Sequence, residues 1–305
     1  MALLTRKIKR QIQSVKNTQK ITKAMELVSG AKMRKAVNAV LTSRPYSNLA
    51  WQTVATLSNT VDRELHALLF DRQTAKKIGV VLISANRGLC GVFNQQIARE
   101  ALRFVQQEQQ TPDVEKIEFI TLGHKGAQII AKSGNVIASD FTKPDVVTDI
   151  SEISSVAKMI VQQYIDGDYD KVVLVYTDFI NSLKQRPEIK QLLPIKQNDN
   201  SGLGKVGQDE EPASAKKDVT EYLFEPSADF VLSHFLPRLI EVQIYQAILE
   251  SNASEHSARM VAMKNASDAA SDLINELTLS FNKARQAGIT QEISEISVSK
   301  AALEG

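Results

Sequence analysis

The feature that most constrains this chain is a heptad spacing near its C-terminus. Met263, Ala266, Ala270, Leu273, Leu277, Ser280, Ala284 and Ala287 recur at alternating three- and four-residue steps. Traced backward, the same steps pass Arg259, His256 and Asn252 before reaching Leu249. A stripe of this period faces a partner helix, and its alanines allow close approach. About fifty such residues at ~1.5 Å rise span roughly 75 Å, too long for the core of a compact domain of this size. Pro237 suits a first helical turn, where a missing N–H costs nothing, so the helix is expected to begin near it.

The natural partner lies at the other end of the chain. Residues 3 to about 58 read as one long helix with apolar positions at Ile8, Ile12 and Val15, then Ile21, Met25 and Val28. No proline interrupts before Pro45, where a kink near Arg44 is expected. Residues 1–44 carry eleven Lys/Arg against the single acid Glu26, out of chain totals of 37 and 35. Such asymmetry points to an anionic partner. Nucleic-acid surfaces interleave aromatics with basic residues, and residues 1–44 hold none. Docking to acidic protein loops therefore leads, with a basic coiled-coil nucleic-acid-binding protein as the alternative.

Between the helices the period changes. The apolar runs 77–84, 116–122 and 171–179 read as strands, and 189–196 as an edge strand. Helices are expected near 92–109, after the turn Gly123-His124-Lys125-Gly126, and over 149–166. This alternation predicts a mostly parallel sheet covered by helices. Residues 197–221 are charged, glycine-containing and nearly free of apolar side chains, which predicts a flexible insertion. The resulting division is 1–60 as N-terminal coiled-coil helix, 70–196 as α/β domain, 197–221 as insertion, and 222–305 as C-terminal region. The fold class is α/β with a long coiled coil in which the N- and C-terminal helices pair into a rod.

Catalytic patterns are weak. Ser29-Gly30-Ala31-Lys32 fits S-x-x-K without the motifs that accompany a serine nucleophile. Asp166, Asp168 and Asp170 open like a calcium loop, but Lys171 replaces the sixth-position glycine and Thr177 the twelfth-position glutamate. Asn86–Gly91 follows a strand and opens a helix, yet lacks a phosphate-binding glycine pattern or lysine, so a tight turn is preferred. The lone Cys90 excludes an internal disulfide. The four histidines show no metal-ligand spacing, and an α/β enzyme with helical arms rests on the middle region alone. The first residues, charged by Arg6 and without an apolar h-region, read as mature structure rather than a secretory signal.

Six stretches carry a family resemblance: 18–36 (TQKITKAMELVSGAKMRKA), 87–94 (RGLCGVFN), 123–126 (GHKG), 176–183 (YTDFINSL), 248–270 (ILESNASEHSARMVAMKNASDAA) and 282–296 (NKARQAGITQEISEI). Together they resemble the γ subunit of F-type ATP synthases, in that family's order and over nearly the whole chain. The resemblance implies that the coiled coil is antiparallel and forms a non-catalytic rotor shaft without cofactor or metal, present in one copy, with the α and β subunits, the ε subunit and the c-subunit ring as partners and no nucleic acid. It implies coupling of proton flow to ATP synthesis and hydrolysis, at the cytoplasmic face of a bacterial membrane. It places Met25, flanked by Lys23 and Lys32, near an acidic loop of β, and Arg285, Gln286, Thr290 and Glu292 against the α/β hexamer. The tail Ser297–Ala302 departs from the small Gly/Ala ending usual in the family.

Overall fold

The computed structural model describes residues 2–60, 67–70, 75–147, 149–195 and 228–304. The expected insertion at 197–221 lies outside the described residues. The chain divides into two units, Met1–Ser29 with Met260–Gly305, and Gly30–Arg259. Helices α1 (Ala2–Thr60) and α5 (Ala228–Glu304) contribute to both.

In the first unit the ends of the chain pair. Partly shielded side chains on α1 recur at Thr5, Ile8, Ile12, Val15, Gln19, Thr22 and Glu26, ending at buried Ser29, a strict three–four alternation. On α5 the matching stripe is Met263, Ser267, Ala270, Ile274, Leu277, Phe281, Ala284 and Gly288. The side-chain amide of Gln19 donates to Ser271 Oγ at 2.6 Å, tying the stripes together. Polar pairs of this kind at a seam specify register.

Two sequence expectations are corrected here. Ile21 and Val28 are 61% and 56% exposed; the seam instead continues from Val15 through polar Gln19, Thr22 and Glu26. On α5 the stripe is displaced by one residue at every second position, to Ser267, Ile274, Phe281 and Gly288. An apolar residue stands on both sides of the ambiguous step at Leu273–Ile274, and burying Phe281 rather than Ser280 decides it.

The second unit is a five-stranded sheet of order β3-β2-β1-β4-β5. Strands β1 (Lys77–Ile83), β2 (Lys116–Leu122), β3 (Ile137–Phe141) and β4 (Lys171–Phe179) run parallel, and β5 (Gln185–Leu193) closes the edge antiparallel to β4. Strand β3 escapes sequence reading because its five residues, IASDF, are only half-buried and carry adjacent Ser139 and Asp140 at the centre, which break the apolar run. Strand β5 begins four residues before its expected start, and Pro187 is tolerated there because an edge strand can spare one N–H.

Alternation along the strands feeds two cores. Val81, Ile83, Leu174 and Tyr176 pack with α4 (Ser151–Ile165) and with the parts of α1 and α5 in this unit. Val80, Leu82, Val173 and Val175 pack with α2 (Phe93–Glu108) and α3 (His124–Lys132). Ser43 donates to Gln246 at 2.6 Å, and Tyr46 interacts with Arg238. Rising numbers on α1 thus meet falling numbers on α5, and the helices are antiparallel. Helix α5 starts well before the expected Pro237 and carries that proline inside it. Leu232, Leu236, Leu239 and Ile240 are buried on both sides of it, and this burial offsets the hydrogen bond the ring removes.

The GHKG turn has a steric origin. A Cβ on Gly123, at φ 112°, would stand 2.3 Å from the Ser84 carbonyl oxygen, and one on Gly126 would stand 2.5 Å from Ser84 Oγ. Ser84 Oγ donates to the Gly123 carbonyl at 2.7 Å and accepts the Gly126 N–H at 2.8 Å. Gly123→Ala is expected to lower stability by more than about 2 kcal/mol in denaturant unfolding. Gly88→Ala, whose Cβ would meet nothing within 4 Å, is expected to change it by less than about 0.5 kcal/mol.

Candidate functional site

Most residues singled out from the sequence lie on the paired helices of the first unit. Lys23 is exposed on α1 and donates to Glu26 at 3.0 Å. Met25 is half-buried beside the seam, while Ile21, Leu27 and Val28 face outward. Arg285, Gln286, Thr290 and Glu292 are all exposed on α5. Thr290 bonds only within the helix, donating to the Gln286 carbonyl at 3.0 Å. Past Gly288 every described side chain through Lys300 is exposed, including Ile289, Ile293, Ile296 and Val298.

The two sets are not brought together. The Gln19–Ser271 register sets Met25 opposite residue 265 or so, roughly 30 Å along the helix from Arg285 at ~1.5 Å per residue. Lys32 belongs to the second unit, where it donates to Asp145 at 2.8 Å. That bond, with the charge of Lys32, holds the Asp145 carboxyl below its usual range.

The second unit contains a charge cluster that sequence reading overlooks. Lys143, with a fully buried side chain, contacts Glu255 at 2.5 Å, and Arg259 reaches the other Glu255 oxygen at 2.8 Å. Burial pushes the Glu255 carboxyl up, but Lys143 and Arg259 outweigh it and hold it below the usual range. His256 Nε2 meets the Asp145 carbonyl at 3.1 Å, and Arg259 donates to His256 Nδ1 at 3.3 Å. These partners assign the proton to Nε2 of a neutral ring, and burial lowers its pKa accordingly. Asn252 donates to the Pro144 carbonyl at 3.1 Å. Asn252, His256 and Arg259, read from the sequence as heptad positions, thus bind the loops after β1 and β3. Polar residues breaking an apolar heptad are the signal that could have identified this second partner.

The loop after β1 is built for the same contact. Asn86 clasps the Lys143 backbone from both sides, donating at 2.6 Å and accepting at 3.1 Å. Leu89 (φ 62°) and Gly91 (φ 58°) reverse the chain, and Arg259 donates to the carbonyls of Arg87 and Gly88 at 3.4 and 3.3 Å. A phosphate cradle aims N–H groups at its ligand; here carbonyls are aimed at a guanidinium. Burial raises the pKa of the Cys90 thiol, against activation as a nucleophile.

Asp170 accepts the backbone N–H groups of Lys76 and Lys77 at 3.0 and 2.9 Å, clasping β1 to β4 rather than forming a calcium loop. Among the described residues no cluster of three or more His, Cys, Asp or Glu could hold a metal ion. None of their helices is long and apolar enough to cross a membrane.

A family profile described as ATP synthase matches residues 4–303. An ATP synthase gamma chain of Chloroflexus aurantiacus is 42% identical over 301 residues, covering 98% of each chain. One from Pelotomaculum thermopropionicum is 42% identical over 299 residues, covering 98% of this chain and 99% of that one. Among solved structures, a chain of the Euglena gracilis mitochondrial ATP synthase (OSCP/F1/c-ring) aligns with TM-score 0.64 at 21% identity, covering 99% of this chain and 95% of that one. A chain of the Tetrahymena thermophila mitochondrial ATP synthase central stalk and c-ring aligns with TM-score 0.58 at 22% identity, covering 81% and 99%.

Removing one partner of a buried ion pair strands the other. Lys143→Met is expected to destabilise the protein by about 3 kcal/mol, and adding Glu255→Gln is expected to recover part of that loss. Chemical denaturation of the two single variants and the double variant measures this coupling.

Proposed function

Because the chain belongs to the family of ATP synthase gamma chains, we propose that it is the central rotor shaft of a proton-translocating F-type ATP synthase. In this role it couples proton flow through the membrane sector to ATP synthesis and hydrolysis on the α/β hexamer. The carrying observation is the antiparallel pairing of the two ends of the chain, which leaves an exposed helical surface on both. The Chloroflexus and Pelotomaculum gamma chains match it along 98% and 99% of their own length.

On this reading α1 up to about residue 60 and α5 from about 237 form the shaft, and the α/β domain of 70–196 is the foot that meets the ε subunit and the c-subunit ring. The protein is a non-catalytic subunit, one copy per complex, held peripherally at the cytoplasmic face of a bacterial membrane. Nucleotide chemistry resides on β, in keeping with a β1–α2 loop that turns carbonyls toward Arg259. Met25, Lys23 and Lys32, and Arg285, Gln286, Thr290 and Glu292, are the contacts to the hexamer. A shaft must release each contact as it turns, and exposed ion pairs of ~0.2–1 kcal/mol are weak enough to do so. The nucleic-acid alternative draws no support from the relatives.

Reconstitution tests this role. The purified chain alone is expected to hydrolyse no ATP, yet to co-purify with α and β subunits and restore coupled hydrolysis; failure to co-purify would contradict the assignment. Met25→Lys adds a charge beside Lys23 at the proposed hexamer contact. It is expected to leave assembly intact and lower proton-driven synthesis severalfold, whereas unchanged synthesis would remove Met25 from the contact.

A further inference from the structure

In the second unit, the loop after β3 is pinned at three consecutive residues. Asn86 holds the Lys143 backbone from both sides. Asn252 donates to the Pro144 carbonyl at 3.1 Å, and His256 meets the Asp145 carbonyl at 3.1 Å. The Lys143 side chain is anchored as well, on buried Glu255. The Asp145 carboxyl is placed differently. Its side chain is 43% exposed and accepts the ammonium of Lys32, itself 36% exposed, at 2.8 Å.

An exposed ion pair ordinarily gains little, because two mobile side chains must be ordered to make it. Here the acid is short and stands on a fixed backbone, so the lysine carries most of the ordering cost. Lys32 rises from a stretch of α1 held by the core, where Met33 packs and Ala36 is buried. Its own helix offers no rival partner: Glu26, the single acid of α1, is engaged by Lys23. The bond from Lys32 keeps the Asp145 carboxyl below its usual range, so it is charged at neutral pH. The positive charge of Arg87, on the loop after β1, acts in the same direction.

A lysine ammonium has three donors, and the bond to Asp145 Oδ2 engages one of them. An acidic loop approaching Lys32 therefore meets a cation that is reachable but already neutralised. The Asp145 charge beside it also repels a second carboxylate. We infer that Asp145 is a positioning residue for the shaft–hexamer contact, an internal acid that competes with the acidic loop of β for Lys32. As the loop arrives, Lys32 exchanges one carboxylate for another; as it leaves, Asp145 takes the ammonium back. Both states are ion pairs of the same kind, so the exchange runs in either direction with little change in free energy. Without Asp145, Lys32 would meet the loop as an unpaired charge, and the contact would be tighter and longer-lived. This inference rests on the rotor reading given above.

The full-length chain reconstituted with α and β subunits provides the test. Asp145→Asn and Asp145→Ser both remove the competing charge. Each is expected to lower maximal ATP hydrolysis roughly threefold while leaving kcat/KM for ATP unchanged, because a release step slows and ATP capture does not. In a Lys32→Gln background the same substitutions are expected to change nothing further. Wild-type turnover in both Asp145 variants, or equal slowing with Lys32→Gln present, would overturn the inference and leave the rotor reading standing. Failure of the wild-type chain to join α and β would overturn both.

Discussion

Antiparallel pairing of α1 with α5 is the constraint from which the other features follow. Neither helix could bury its stripe alone, and helices within proteins owe most of their stability to such packing. In the first unit the α1 seam is mixed, with Ile8, Ile12 and Val15 followed by Gln19, Thr22 and Glu26. On α5, Ser267, Ala270, Ala284 and Gly288 narrow the seam on either side of the larger Ile274, Leu277 and Phe281. A narrow, partly polar seam forgoes some hydrophobic stabilisation but fixes register through contacts such as Gln19–Ser271. It also leaves the larger apolar side chains Ile21, Leu27 and Val28 on the outside, where a partner protein can use them.

In the second unit the same two helices face a sheet and its loops, and the chemistry changes. Alternating strand residues serve cores on both faces, so the sheet itself is apolar. The loops at the strand ends are instead held by Lys143, Glu255, Arg259 and His256. Buried ion networks are costly to assemble and still costlier to break. They bind backbone carbonyls and side chains in one geometry, which an apolar contact would not. Cys90 sits in the same loop as a packing residue, its sulfur accepting from Asn94 at 3.2 Å.

The fold class was legible because period carries it: three–four spacing at both ends and β-branched runs at 77–83, 116–122 and 171–179. Phase was less legible than period. The α5 stripe could be drawn through Leu273 or Ile274, and only packing chooses between adjacent apolar residues. The α1 stripe passes through Gln19, Thr22 and Glu26, which no hydrophobicity rule would select. Pro237 looked like a helix start because local rules cannot weigh the core contacts of Leu232 and Leu236. The cluster around Glu255 and the pairing of Lys32 with Asp145 were illegible for a different reason. Their partners lie 112 and 113 residues apart in sequence, and topology alone brings them together. The surface residues from Lys23 to Glu292 came from family resemblance, since exposed polar positions on a helix look alike.

The most direct test is a distance between the two ends of the chain. Spin labels on Ile12→Cys and Leu277→Cys, in a Cys90→Ser background, should lie about 10 Å apart if the helices pack at ordinary interaxial spacing in the Gln19–Ser271 register. A label pair moved one heptad out of register, at Ile12 and Ala284, is offset by about 10 Å along the axis and should read about 14 Å. A separation beyond about 25 Å for the first pair, or no difference between the two pairs, would contradict the antiparallel pairing.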